Sequence, residues 1–283
     1  MSDTEPPHYR FTILGCGSSG GVPRLGGPDG RGNWGACDPQ NPKNRRRRCA
    51  LLVERYGRGG ATRVLIDAGP DLREQLLGAR VSKLDAVLFT HDHADHTHGI
   101  DDLRLVFFHI RKRLAIWADA QTRPILERRF DYVFKTPEGS LYPPILDMKE
   151  IEEAWVEEGV PVVVDGEGGP ISAVPFPVLH GGIRALGFRI GDLAYLPDAH
   201  ALTPAAWRAV DGLKVWIVDA LRYTPHPSHA NLETALGWIE TARPERAVLT
   251  NMHVDLDYDQ LEAETPAHVT PAYDNMVLTL PAD

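Results

Sequence analysis

Short apolar runs, each closed by glycine, proline or a single polar residue, recur along this chain and predict strands alternating with helices. Residues 9–15, 62–67, 84–89, 115–118, 171–179, 193–196, 214–219 and 245–250 read as strands. Between them, the spacing of apolar positions predicts helices over 71–77, 100–108 and 121–134, and another from about Asn231, a favourable capping residue. Such alternation belongs to an α/β domain. With 283 residues the chain is long enough for one sizeable core and no linker divides it, so residues 1–283 read as a single domain. Two stretches break the pattern. Residues 16–48 are irregular and rich in Gly and Pro, a length of loop that tends to serve function. Residues 136–170, rich in Pro, Glu and Gly, read as loop with short strands.

Composition narrows the function classes. With 43% hydrophobic and 24% charged residues the chain is ordinary globular material, and a net charge of −9 argues against a general nucleic-acid binder. No apolar run approaches the length of a membrane span. The acidic start lacks the basic-then-apolar pattern of a leader, and Cys16, Cys37 and Cys49 are too few for a disulfide framework. The chain therefore reads as cytoplasmic. Within this acidic protein, residues 43–48 form a basic run ending in Arg48. It is either a solvated face or a local phosphate clamp, with Arg48 the candidate substrate contact.

The candidate chemistry centres on His91-Asp92-His93-Ala94-Asp95-His96, directly after the apolar run 84–89. If the strand persists to position 93, His91 and His93 point to one side. A turn at Asp95 and His96, toward a helix near Gly99, would then let one segment serve two ions. Imidazole and carboxylate donors suit zinc and similar divalent ions, so two ions, zinc or manganese, are expected. His180 and Asp198 sit where strands stop, an address shared by site residues and by ordinary caps and turns. Ser18 lies in the glycine-rich stretch 15–23, whose amides could cradle an anion. His229 precedes the helix start near Asn231, where the helix field disfavours imidazolium, so a protonated His229 would release its proton readily. His226, in a proline-flanked loop, is either solvent-exposed or a substrate contact. Asn251 and His253 are two apart and share a face if their strand persists. Imidazole is the better zinc ligand, so His253 is the expected last ligand, with Asn251 supporting it or binding weakly.

The run 91–96 matches the HxHxDH signature and resembles the metallo-β-lactamase superfamily. That resemblance implies a four-layer αββα sandwich with the metals at one edge of its two sheets. It implies that Asp67, in Leu65-Ile66-Asp67-Ala68-Gly69, braces the metal-binding loop, that His180 completes the first ion's ligands, and that Asp198 bridges both ions. The loop 15–23, the Arg-rich run into Cys49, His229-Ala230-Asn231-Leu232 and Leu249-Thr250-Asn251-Met252-His253 together resemble the phosphoribosyl cyclic phosphodiesterase branch. That branch opens five-membered cyclic phosphates, including 2′,3′-cyclic nucleotides. The resemblance implies a catalytic role for His229, and the branch carries a histidine where this chain has Asn251. The clustered loop cysteines of its best-known members, which hold a structural zinc, are missing here except for Cys37, so no such zinc is expected.

The implied chemistry uses two ions about 3.5–4 Å apart to lower the pKa of a shared water, with Asp95 both ligand and catalytic group. Hydroxide attacks phosphorus in line with the leaving ribose oxygen. Cations offset charge on the other oxygens, and His229 protonates the leaving alkoxide. A tRNA 3′-processing nuclease would need an RNA-gripping insertion and a basic surface, neither of which is visible. A thioester or lactone hydrolase would use the same metals, but the Arg run and His229 favour phosphate. A non-catalytic nucleotide-binding metalloprotein is the remaining alternative. The expected partner is a small phosphodiester or nucleotide, with no membrane, and a homodimer is left open.

Overall fold

The computed structural model describes residues 6–282, so most of the acidic start lies outside the described residues. In chain order the strands are β1 (His8–Gly15), β2 (Ala50–Gly57), β3 (Gly60–Ile66), β4 (Ala86–Leu88), β5 (Leu114–Asp119), β6 (Leu146–Ile151), β7 (Val162–Val164) and β8 (Ile171–His180). They continue as β9 (Ile183–Ile190), β10 (Leu193–Leu196), β11 (Ala201–Leu202), β12 (Val215–Asp219), β13 (Arg246–Thr250), β14 (Val269–Pro271) and β15 (Met276–Pro281). One sheet has the order β15-β1-β2-β3-β4-β5-β6; the other runs β11-β8-β9-β10-β12-β13-β14, with β7 paired to β8. Each sheet is antiparallel over its early strands and parallel over β3-β4-β5-β6 or β10-β12-β13-β14.

Strand alternation builds the layers. Leu51, Val53, Val64, Ile66 and Leu88 of the first sheet share a buried cluster with Phe176, Phe188, Tyr195 and Trp216 of the second. Their neighbours Leu52, Leu65 and Val87 turn the other way, onto Leu72, Leu103 and Leu126 of the helices Leu72–Ala79, Leu103–Ile110 and Thr122–Arg129. Ala235 and Ile239 of the helix Leu232–Ala242 join the core through the second sheet. The result is the expected αββα sandwich.

Local departures have local causes. The helix expected over 121–134 is two, Thr122–Arg129 and Asp131–Phe134, because Phe130 adopts φ −129° between them. The helix from Asn231 forms as expected, its side-chain oxygen accepting from the Thr234 amide. The basic run is neither of the two things expected of it at Arg46. That side chain is 1% exposed and donates to the carbonyls of His253 (3.3 Å) and Leu256 (2.7 Å), pinning the long loop to the segment after β13. Among the described residues no helix is long and apolar enough to cross a membrane.

Candidate metal centre

Asp67, the segment 91–96, Asp198, Asp219 and Asn251 all lie at or just beyond the carboxyl ends of parallel strands, β3, β4, β10, β12 and β13 respectively. Such sheets direct functional groups to that edge. The ladder of β4 ends at Leu88, so the strand does not persist to His93 as the alternation argument assumed. His93 is instead the N-cap of a single helical turn, Ala94–Thr97, and the helix expected near Gly99 begins as a 3-10 turn, Ile100–Asp102. His91 and His93 converge all the same, with ring centroids 4.6 Å apart.

Asp67, fully buried and in the left-handed region (φ 66°), organises the segment. Its carboxylate accepts from the Thr90 amide (2.8 Å), the Thr90 hydroxyl (2.9 Å) and His96 Nδ1 (2.7 Å). The Thr90 hydroxyl in turn accepts from His91 Nδ1 at 3.0 Å. His180 Nδ1 donates to the Ser228 carbonyl at 2.7 Å. Three imidazoles thus have their Nδ1 engaged and Nε2 left as the donor toward a metal. The Nε2 atoms of His91 and His96 are buried without a hydrogen-bond partner among the described residues. A buried orphan of that kind calls for an ion.

Donor spacing tests the fit. Asp198 Oδ2 lies 3.4 Å from His91 Nε2, 3.6 Å from His180 Nε2 and 3.3 Å from His96 Nε2. His180 Nε2 and His93 Nδ1 are 3.2 Å apart, and Asp95 Oδ2 is 3.4 Å from His96 Nε2. Two donors each 2.0–2.1 Å from one tetrahedral ion stand roughly 3.3 Å apart. His91, His93, His180 and Asp198 form one candidate group, and Asp198, Asp219 and His229 a second. The two His/Asp clusters are consistent with a dinuclear metal site. Burial, with neighbouring imidazoles, holds His91 well below the usual histidine range, and burial also lowers His180, so both are neutral as ligands must be. Burial would lower His96 too, but Asp198, Asp95 and Asp67 outweigh it and raise the ring.

His229 departs from the expectation that a helix field would disfavour its charge. Burial does act that way, yet the hydrogen bond from Nδ1 to Asp219 Oδ2 (3.0 Å), with the charges of Asp219, Asp198 and Asp95, raises it to about 9. Burial pushes Asp219, 0% exposed, up to about 6. Asn251 donates to Asp198 Oδ1 (3.0 Å) and Asp219 Oδ1 (3.1 Å), tying the carboxylates together.

A cavity of about 340 Å³ opens onto these groups, lined in part by His93, Asp95, His180, Asp198 and His229. Ser18 and His226 also line it, and the Ser18 hydroxyl is buried without a partner among the described residues. In the loop 15–23 the amides of Gly17, Ser18, Gly21 and Val22 already donate to backbone carbonyls, which takes those four out of any anion cradle. Arg48 does not line the cavity; it lines a separate groove with Arg45 and Arg47, and its guanidinium lies 3.3 Å from Asp71. Nor do Asn251 and His253 share a face. β13 ends at Thr250, and Asn251 takes φ 61°, which redirects the chain from Met252 onward. His253 lines the cavity but stands outside both ligand groups, its Nδ1 2.5 Å from Asp255 Oδ1. Asp219, Arg24 and Arg222 are among the residues at the site that the sequence did not single out. Asp219 had a signal, since it closes a strand just as His180 and Asp198 do.

The sequence pattern described as "Beta-lactamase superfamily domain" matches residues 62–252. The octanoyltransferase of Porphyromonas gingivalis (strain ATCC BAA-308 / W83) is 32% identical over 273 residues, 94% of this chain and 51% of that protein. The chain thus spans about half the length of that curated relative. The crystal structure of a new diphosphatase from the PhnP family superposes with a TM-score of 0.81 at 30% identity, over 96% of this chain and 97% of that one. Zinc-bound PqqB from Methylobacterium extorquens gives 0.68 at 18% identity over 95% and 99%, a likeness of fold.

Proposed function

This chain belongs to the metallo-β-lactamase superfamily; we propose that it is a metal-dependent hydrolase whose substrates are small cyclic phosphodiesters. His91, His93, His180 and Asp198 would hold one ion. Asp95, His96 and Asp198 would hold the other, with Asp198 between them. We prefer this second set to Asp198, Asp219 and His229 because Asp219 and His229 already satisfy each other, whereas His96 Nε2 is orphaned. Zinc or manganese, when bound, would supply Lewis acidity and a nucleophile activated at neutral pH.

The observation that carries the phosphodiester reading is the Asp219–His229 pair in the same cavity. Asp219 accepts from Nδ1 and stabilises the imidazolium, so Nε2 keeps a proton at neutral pH. A ribose alkoxide is a poor leaving group, and a positioned acid at that oxygen is what its departure needs. Asn251 holds Asp219 in place from the other carboxylate oxygen. Ser18 Oγ is free to donate to a phosphoryl oxygen.

An acyl substrate, suggested by the octanoyltransferase relative, fits less well. Leu221 is the lone aliphatic side chain lining the cavity among the described residues, too little to receive a fatty chain. The net charge of −9 weighs against a nuclease acting on a large RNA. The test is metal-replete protein assayed with cyclic phosphodiesters, linear phosphodiesters and thioesters in parallel. Cyclic opening should dominate, and turnover confined to thioesters would end the proposal.

A further inference from the structure

Asp92 is the one polar residue of the run 91–96 with no part in the proposed centre, yet it is held on two sides. Arg129 Nη1 donates to its carbonyl at 2.5 Å, and Arg129 Nη2 lies 3.0 Å from its carboxylate Oδ2. The guanidinium thus forks over the backbone and the side chain of the residue between His91 and His93. Arg129 is the last residue of the helix Thr122–Arg129. Phe130, whose φ of −129° ends that helix, packs edge-on against His98 with ring centroids 5.5 Å apart. His98 is the C-cap of the single helical turn Ala94–Thr97. Two consecutive residues at the helix break therefore touch both ends of the metal-binding segment. The helix gives them a firm base. Its Thr122 amide donates to Asp119 Oδ1 (2.8 Å), Leu126 is fully buried, and Arg123 pairs with Glu127 (3.2 Å) and with Glu150 of β6 (2.5 Å).

The ligand that needs such support is His93. His91, His96 and His180 are each oriented through Nδ1, by the Thr90 hydroxyl, the Asp67 carboxylate and the Ser228 carbonyl respectively. His93 is different. It is exposed, its Nδ1 faces His180 Nε2 at 3.2 Å where the donors converge, and its Nε2 has no protein partner among the described residues. Its place is set through its backbone: the Thr97 hydroxyl donates to its carbonyl at 2.9 Å, and Arg129 fixes the residue before it. We propose that Arg129 and Phe130 clamp the metal-binding segment from outside, and that Arg129 is a positioning residue for His93 and hence for the ion it holds. The clamp rests on the ligand sets assigned above and not on the identity of the substrate. An exposed ion pair adds little to stability by itself, whereas a group that orients a metal ligand is worth roughly 10–100-fold in metal affinity. The clamp should therefore be read in metal binding.

The experiment measures zinc affinity by competition with a chromophoric chelator, alongside the Tm of the chelated protein and the visible spectrum of its cobalt-substituted form. Arg129→Ala should weaken one ion roughly tenfold or more and shift the cobalt bands, while the chelated Tm stays within about 2 °C of wild type. Arg129→Lys, which keeps the charge without the fork, should recover part of the affinity. Asp92→Asn keeps the carbonyl and loses the charge, so it should weaken zinc less than Arg129→Ala does. Combining those two should add little to Arg129→Ala alone. Arg123→Ala is the control: it breaks ion pairs of the same helix, none of them to residues 91–98, and should bind zinc as wild type does. An Arg129→Ala protein with wild-type zinc affinity overturns the clamp. So does an equal loss in Arg123→Ala, which would trace the effect to the helix as a whole. A wild type that binds no zinc overturns the clamp together with the ligand assignment. Because zinc binding is read directly, failure to open cyclic phosphates bears on the substrate reading and not on the clamp.

Discussion

At the scale of single residues the chemistry turns on one proton. If His229 donates it to the leaving oxygen, His229→Ala should retain its metal and fold but lose roughly 10²–10⁴-fold in kcat on a ribose cyclic phosphate. The loss should shrink with a nitrophenyl ester, whose leaving group departs unprotonated. Equal losses on both would mean that His229 holds phosphate instead. Asn251 and His253 make a second test. Because Asn251 bridges Asp198 and Asp219 while His253 pairs with Asp255, His253→Ala should keep its full metal content by elemental analysis. Loss of an ion in that variant would return His253 to the ligand set. The HxHxDH run was legible from its fixed spacing, whereas Asp67, His180 and Asp198 entered as candidates only through the resemblance that run carries, since a strand end is shared with ordinary caps and turns. The rest was hidden for a physical reason. A single left-handed residue, Asn251 at φ 61°, changes which side chains face the cavity, and alternation carries no sign of it.

Elements were legible where an apolar run is closed by a polar or turn residue, as in β3, whereas β2, apolar on both faces because its alternate residues serve two different cores, was not read as a strand. The loop 16–48 was legible only as a loop. What orders it is distant in sequence: Asp257, N-cap of the helix Tyr258–Glu264, also accepts from the Asp38 amide (3.0 Å) and the Asn44 side chain (2.6 Å). Asp257→Ala should therefore destabilise by about 0.5–2 kcal/mol at pH 7, the usual worth of a cap, read from denaturant midpoints. Burial would raise this carboxyl, but its hydrogen bonds hold it below the usual range. A depressed folded-state value gives stability that is present above the unfolded value, about 3.9, and is lost as pH falls through the folded one. Asp257→Asn keeps the cap oxygen and loses the titration. The wild-type advantage over that variant should accordingly narrow between about pH 5 and pH 3. A constant gap across that range would show that the charge of Asp257 adds nothing.

Over the whole molecule, the proposed metal ligands come from both sheets: Asp95 and three histidines from the segment after β4, His180 and Asp198 from β8 and just beyond the end of β10. The sheets already meet nearby through backbone contacts such as Leu186 N–H to the Thr90 carbonyl at 2.9 Å and Met252 N–H to the Cys16 carbonyl at 2.9 Å. Ions at this rim would clasp the two layers together and satisfy the imidazole nitrogens that are otherwise buried and orphaned. The large core shared by the sheets should keep the chelated protein folded. Metal binding only the native state, at a hundred times its dissociation constant, adds about 2.7 kcal/mol. For a chain of this size that corresponds to a rise of roughly 4–5 °C in Tm, graded with free metal concentration. His229→Ala should keep this metal-dependent rise, because its ring is not among the ligands proposed. His91→Ala should lose most of it, since it removes one donor of the four-ligand group and leaves the Asp198 carboxylate less well balanced. Coincident melting of chelated and metal-loaded protein, with removal of the ions verified by elemental analysis, would show that the metals serve chemistry alone and do not join the two sheets.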